Sequence, residues 1–267
     1  MRILRLYAPS LIGDHTLCYV HSTAEGDSCI NEVPIRLALA HPGEDLDAEQ
    51  FADAMTIVLP ADAKVGNGCF VSTGDALLRW NECQNCFDVA KTGFLSVSAP
   101  VEIWRPIKTA VLTVSDKGSR GEREDTAGPE LTRLVSELGA VVDDRKIVPD
   151  DPDKIAASVT EWSEQGFNLV LCTGGTGLSP RDNTPEALMS IADKIVPGFG
   201  ETMRAKTMVY TPRAFLTRSV AIIKGSTLAI AFPGSKRGAS QCFEAIAPAL
   251  RHGVETLAGW EGECGGK

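Results

Sequence analysis

The sequence predicts an α/β fold, a three-layer sandwich around a mostly parallel sheet over residues 106–267, preceded by a smaller, mostly β domain over residues 1–105. Three observations carry this expectation. After Pro106, apolar strand-like runs alternate with helical periodicities, and that alternation builds parallel sheets covered on both faces. Glycine-rich or acidic loops follow the apolar runs, where open sheets of this kind place ligands. Before the Pro-containing stretch Val101 to Lys108, short apolar segments such as 55–59 and 94–97 lie among Gly, Pro and Asn turns, the pattern of short strands.

The elements follow in order. Ala110 to Val114 reads as a short buried strand. Leu131, Leu134, Val135 and Leu138 then recur at helical spacing, with Pro129 early in the first turn and Gly139 as a stop. Val141 to Pro149 reads as strand into loop, and Pro152 opens a helix carrying Ile155, Val159 and Trp162. Asn168 to Cys172 is a further apolar strand that runs into a glycine-rich loop, with the next helix beginning near Thr184. Ser219 to Ile223 and Leu228 to Phe232, joined through Lys224-Gly225-Ser226, read as an antiparallel hairpin on the same sheet. A last helix uses Ala239, Cys242, Phe243, Ile246 and Leu250.

Composition narrows the function classes. With 43% hydrophobic and 23% charged residues over 267 positions, the chain can bury a sizeable core. A net charge of -9 offers no global positive field to gather nucleic acid or an anionic membrane surface, so any anionic substrate must be held by local groups. Met1 to Leu11 lacks the apolar core of a signal peptide and no apolar run is long enough to span a bilayer, which points to the cytoplasm. Eight cysteines scattered through the chain favour free thiols, redox use or metal binding over a disulfide scaffold.

Four loops at the ends of apolar runs can carry chemistry: Ser115-Asp116-Lys117-Gly118-Ser119, Pro149-Asp150-Asp151, Thr173 to Asp182, and Pro233-Gly234-Ser235-Lys236. The third is the richest. Gly174, Gly175 and Gly177 let the backbone approach an anion, Thr173 and Thr176 add hydroxyl donors, and the helix near Thr184 offers its N-terminus, so phosphate is a natural guest. A tight turn with no ligand is the plainer reading of the same glycines. A dinucleotide fingerprint would need glycine where Pro180 stands, and no Gly-Lys-Ser/Thr P-loop occurs in the chain. Asp150 and Asp182, from the ends of neighbouring elements, suit a magnesium ion held between triphosphate oxygens. Asp151 and Asp153 read as helix caps, while Arg181 and Lys236 are candidates for neutralising phosphate charge.

Thr113-Val-Ser-Asp116, Gly128-Pro129, Thr173-Gly-Gly-Thr-Gly177 with Arg181-Asp182-Asn-Thr-Pro-Glu186, Pro197-Gly198-Phe199-Gly200-Glu201 with Arg204, and Phe232-Pro-Gly-Ser235 together resemble the molybdopterin adenylyltransferase family over roughly residues 108–258. Five motifs in order are far more specific than any one. The resemblance implies a homotrimer that transfers AMP from Mg-ATP to the terminal phosphate of molybdopterin and releases pyrophosphate, priming the cofactor for metal insertion by the molybdenum-insertion enzyme. By the same resemblance, Asp182 is the catalytic aspartate and Asp150 a second carboxylate for Mg2+ and nucleotide. Ser115, Asp116, Thr173, Gly174, Gly175, Thr176, Gly177 and Arg181 would hold the pterin substrate. Pro197, Gly198, Phe199, Gly200, Glu201, Pro233, Gly234, Ser235 and Lys236 would shape the nucleotide pocket, with ATP as co-substrate. The chain departs from the family pattern at Ser235-Lys236, where members often carry proline two residues after the glycine; this motivates an alternative, a pterin-binding carrier without turnover.

Residues 1 to about 105 fall outside the resemblance. Cys83-Gln-Asn-Cys86 is a single Cys-x-x-Cys, and a structural zinc site wants four ligands; Cys69, Cys29 or His21 would have to complete it. Packed or free thiols are the plainer reading. Pterin-cofactor proteins are sometimes fused to MOSC-type domains, and the short β segments are compatible with that. His15 and His41 read as surface residues in turns. A third function class, a scaffold whose front domain docks maturation partners, follows from this unassigned third.

Overall fold

The computed structural model describes residues 2–7, 17–20, 32–40, 54–58, 65–81, 86–96 and 101–260. The chain divides into two compact units, Met1–Pro106 and Ile107–Lys267. Cys83, Cys29, His21, His15 and His41 lie outside the described residues, as does the side chain of Cys86.

The first unit is all β among the described residues. One sheet runs in the order β4 (Ala54–Val58), β3 (Glu32–Ala40), β1 (Arg2–Tyr7), β2 (Leu17–Val20), β8 (Gly93–Ser96). A second, antiparallel sheet runs β7 (Cys86–Lys91), β6 (Ala76–Asn81), β5 (Phe70–Thr73), β9 (Glu102–Trp104). Val71, Ala76, Leu78, Phe87 and Leu95 form a small core, and Cys69 is a half-buried free thiol.

In the second unit the sheet order is β11 (Ala140–Val148), β10 (Ile107–Val114), β12 (Leu169–Thr173), β15 (Thr227–Phe232), β14 (Ala221–Lys224), β13 (Lys194–Ile195). Strands β11, β10, β12 and β15 are mutually parallel; β14 and β13 add the antiparallel edge. The hairpin thus sits where the sequence puts it, with a tighter turn through Gly225 at φ +56°.

Alternation along the buried strands divides the core between two faces. Val111, Leu169, Leu171, Ile230 and Phe232 point to one face. There they meet α2 (Ala127–Ser136), α5 (Pro197–Thr207) and the long α6 (Lys236–Leu257). Ala110, Leu112, Val170, Cys172 and Ala231 point to the other, against α3 (Pro152–Glu164) and α4 (Thr184–Ser190). A four-residue helix, α1 (Asp116–Ser119), follows β10.

Local chemistry sets the helix ends. Asp151 accepts from the amides of Asp153 and Lys154 at 3.0 and 3.3 Å, and Pro152 fills the first turn, where its missing donor costs nothing. Gly139 ends the α2 segment at φ +72°.

From β10 the chain passes to β11 on one side and later to β12 on the other, so the carboxyl ends of β10 and β12 form a switch point where the connections diverge. Register brings the tips level: Val114 pairs with Val148, Thr113 with Thr173, and Thr173 with Phe232. The four candidate loops therefore leave the sheet at the same height.

Trp162 anchors the α3 face. It is fully buried, its indole N–H donates to Asp144 at 2.8 Å, and the Lys146 ammonium lies 4.9 Å from its ring centroid. Replacing it with alanine removes the largest buried side chain of that layer and takes one of its donors from Asp144, which keeps the Arg145 amide. Trp162→Ala is expected to cost about 3–5 kcal/mol of unfolding free energy, read as a lower urea midpoint at unchanged slope.

Candidate active site

Strand β12 ends at Thr173 and the chain turns sharply through Gly174 (φ +104°) and Gly175 (φ +61°), a region that L side chains rarely adopt. Space is as restrictive as torsion. A Cβ on Gly174 would lie 2.1 Å from the Val114 carbonyl oxygen, and one on Gly234 would lie 3.0 Å from the Gly174 Cα. The Gly174 amide donates to the Phe232 carbonyl at 3.0 Å, which draws the three strand tips together. Buried Thr184 then ties the loop to α4: its hydroxyl donates to the Gly174 carbonyl at 2.8 Å and its amide to the Gly175 carbonyl at 3.1 Å.

Two carboxylates flank this loop. A Cβ on Gly175 would meet Asp150 Oδ1 at 3.3 Å, and a Cβ on Gly177 would meet Asp182 Oδ2 at 2.8 Å. Asp150 is locked to Asp116 by a reciprocal pair, the Asp116 amide donating to Asp150 Oδ2 at 2.8 Å and the Asp150 amide to Asp116 Oδ1 at 3.1 Å. Asp182 Oδ2 accepts from the Ser179 amide at 2.8 Å. Burial, with the charges of Asp116 and Asp182 added, pushes the Asp150 carboxyl above its ordinary value, although the hydrogen bond from Asp116 acts the other way. Asp116 moves in the opposite direction, because Arg181 donates to it from Nε and Nη2 at 2.8 to 3.1 Å.

Asp150 and Asp182 border a cavity of about 520 Å³ at the strand tips. Of the residues singled out in the sequence, Ser115, Asp150, Thr173, Gly174, Gly175, Asp182, Gly234, Ser235 and Lys236 line it. The Lys236 ammonium stands 3.3 Å from Glu130, and Ser235 caps α6 by accepting from the Gly238 amide at 3.1 Å.

Thr113 and Gly118 also line the cavity, whereas Asp116, Thr176, Gly177, Arg181, Pro197 to Glu201 and Pro233 do not. Arg181 is spent on Asp116. Pro197, Gly198, Phe199, Gly200 and Glu201 form the start of α5, with Phe199 packed on the core and Gly200 against the Ser219 carbonyl. Thr173, which does line the cavity, donates its hydroxyl to the Pro233 carbonyl at 2.8 Å, and Thr176 is buried away from it, its hydroxyl oxygen accepting from Thr217 at 3.1 Å.

One wall comes from residues that the sequence reading passes over: Arg123, Glu124, Asp125 and Thr126, ahead of α2. Asp125 accepts from the amides of Ala127 and Gly128 at 3.2 and 2.8 Å and from the Thr113 hydroxyl at 2.7 Å. It caps the helix and pins it to the tip of β10. An aspartate just before the Gly128-Pro129 helix start is the signal that could have found it.

Residues 110–252 match the family model described as a probable molybdopterin binding domain. The chain belongs to this family. The molybdopterin adenylyltransferase of Helicobacter pylori strain J99 is 38% identical over 156 residues, 57% of this chain and 89% of that protein. The molybdenum cofactor biosynthesis bifunctional protein of Synechococcus elongatus is 33% identical over 206 residues, covering 77% of this chain, which spans 62% of that relative's length. Among solved structures, the molybdopterin biosynthesis enzyme MoaB of Thermus thermophilus is 41% identical with a TM-score of 0.54, covering 57% of this chain and 97% of that one. The tungsten cofactor synthesizing protein MoaB of Pyrococcus furiosus is 35% identical with a TM-score of 0.53, covering 57% of this chain and 98% of that one.

The raised carboxyl of Asp150 has a measurable sign. Folding raises its proton affinity, so its ionisation costs stability near pH 7; the cost fades as pH falls through the raised value to below the ordinary 3.8, where folded and unfolded chains are both protonated. Asp150→Asn keeps an oxygen for the Asp116 amide and removes the charge. It is expected to unfold at the same or a higher Tm than the parent near pH 7, the advantage shrinking toward about pH 4, as read by calorimetry across that range.

Proposed function

We propose that the second unit transfers AMP from Mg-ATP to the terminal phosphate of molybdopterin, releasing pyrophosphate. The observation that carries the reading is the placement of Asp150 and Asp182 on either side of a glycine loop, on one cavity at the sheet's switch point. Relatives at 36–38% identity that bear the name molybdopterin adenylyltransferase support it.

The donor set fits magnesium. Carboxylate oxygens are hard ligands, and Asp150 sits among like charges that a cation would relieve. Among the described residues no group of three His, Cys, Asp or Glu side chains could hold a metal alone. An ion held by Asp150 and Asp182 would keep several waters and complete its shell with substrate phosphates. When bound, magnesium would neutralise charge on the triphosphate oxygens.

The chain's own residues position the reactants. The turn at Gly174 and Gly175 brings main chain close enough to receive a phosphate, with the Ser235 and Lys236 start of α6 beside it. An oxygen of the pterin's terminal phosphate forms a bond to the α-phosphorus of ATP. The bond from that phosphorus to the bridging oxygen breaks, and the electron pair leaves with pyrophosphate. The attacking phosphate is already ionised near neutral pH, so no general base is needed and positioning with electrostatics supplies the acceleration. Lys236 and Arg123, both on the cavity, are the side chains suited to the negative charge of the polyphosphate.

The β-rich first unit is assigned no step in this chemistry. The reading places the reaction in the cytoplasm, with the product passing to the molybdenum-insertion enzyme. Exposed Ile195, Met208, Val209, Tyr210, Phe215 and Leu216 are apolar surface that self-association, as the homotrimer the reading includes, could cover. A second reading, pterin binding without turnover, is favoured by the ion pair that already engages Lys236 with Glu130.

Pyrophosphate release from Mg-ATP and purified molybdopterin separates the two. Asp182→Asn is expected to lower kcat by about 10²–10³-fold while still binding pterin. An intact, folded, pterin-binding parent that releases no pyrophosphate would leave the carrier reading in its place.

A further inference from the structure

The loop that carries Asp182 is held by a side chain that does not line the cavity. Arg218 follows the 3-10 helix Pro212–Leu216 and precedes β14. Its Nε donates to the Gly177 carbonyl at 2.8 Å, one terminal nitrogen donates to the Asp182 carbonyl, and the other engages the Glu186 carboxylate in the first turn of α4. The Arg218 amide donates to the Thr176 carbonyl at 2.9 Å, and the neighbouring Thr217 hydroxyl donates to Thr176 Oγ1 at 3.1 Å.

A guanidinium is planar and presents its donors at fixed relative positions. Three acceptors on one fork therefore fix one another: the start of the loop at Gly177, its end at Asp182, and the helix that follows. The loop's other ties include its own turn between Ser179 and Asp182, bonds of the Asn183 side-chain amide to the Pro180 and Arg181 carbonyls at 3.4 and 3.2 Å, the Arg181 amide on the Ser179 hydroxyl, and the exposed pair from Arg181 to Asp116. An exposed ion pair is a weak constraint. Arg218 is partly sheltered, and two of its three partners are main-chain carbonyls, so it acts on the backbone that aims the Asp182 carboxylate.

We propose that Arg218 is a positioning residue for adenylyl transfer, holding Asp182 in register with Asp150 across the glycine loop without touching substrate. The proposal rests on the adenylyl-transfer reading. Its effect belongs in kcat, because a displacement of about 1 Å in a reacting constellation costs on the order of 10²-fold in rate, whereas the cavity that binds the pterin keeps its walls.

The test uses the full chain, Arg218→Ala and Arg218→Lys. Pyrophosphate release from Mg-ATP and molybdopterin is measured alongside amide hydrogen exchange over residues 177–183. Arg218→Ala is expected to lose about 30- to 100-fold in kcat with KM for molybdopterin within about twofold. Exchange over 177–183 should quicken by about tenfold while β12 and α6 exchange as in the parent. Guanidinium ion at low millimolar concentration is expected to restore part of the lost kcat in Arg218→Ala but not in Arg218→Lys, whose ammonium fills the space without reproducing the fork.

Parent-like kcat in the alanine variant overturns the proposal. So does a loss that appears in KM and is accompanied by faster exchange throughout β12, the mark of general destabilisation. Should the alanine variant not fold, Arg218→Lys carries the test: reduced kcat with quickened exchange confined to 177–183 supports positioning, and parent-like values for both overturn it. If the parent releases no pyrophosphate, the adenylyl-transfer reading fails on its own, and the exchange measurement still decides whether Arg218 holds the loop.

Discussion

The close approach of three strand ends at Gly174 is the constraint on which the site depends. The Val114 carbonyl, the Phe232 carbonyl and the Gly234 backbone converge on a residue that has room for no side chain and a backbone torsion suited to none. Level strand register delivers those groups to one point, and the register is held by the near-continuous apolar faces of β10, β12 and β15 against helices on both sides. Packing far from the cavity therefore determines where its floor lies. Thr184 transmits the same constraint to α4, since its hydroxyl and amide grip the two glycine carbonyls from the far side.

Charge is arranged on this frame with a gradient. Arg181 donates to Asp116 and holds its carboxyl below the ordinary value; Asp150, locked to Asp116 through main-chain amides, is held above it by burial and like charge, which the Arg181 charge opposes only in part. The arginine of that cluster bonds the outer carboxylate directly and acts on the inner one through its charge alone. Burial and like charge around Asp150 therefore cost the folded chain stability near pH 7.

Most of the second unit is legible in the sequence because its elements are carried by period. Leu131, Leu134 and Val135 mark one helix, Ile155, Val159 and Trp162 another, and unbroken apolar runs mark strands buried on both faces. Boundaries shift by a few residues, as where β10 starts at Ile107 rather than Ala110, since strand pairing extends past the apolar run. The site is legible in part. Asp150, Asp182 and the glycines stand at strand ends, where position alone makes them suspect. Pro197 to Glu201 carry a glycine-rich look for a different reason: Gly200 lets α5 pack against the Ser219 carbonyl. Arg218 is invisible beforehand, because a lone arginine in a loop carries no periodicity and its partners are carbonyls set by tertiary structure. The threonines misled in the opposite sense. Hydroxyls beside a phosphate-like turn look available, yet Thr173 donates to the Pro233 carbonyl and Thr176 is buried off the cavity.

The floor of the cavity is main chain and its walls are side chains. Arg123 and Glu124 approach from the segment before α2, and Lys236 from the start of α6. Substitution by drift can alter only what a side chain provides, so the floor is nearly beyond the reach of single-residue change short of damaging the fold. Divergence in what this architecture accepts has to be written on the walls, and two short segments distant in sequence hold most of that freedom.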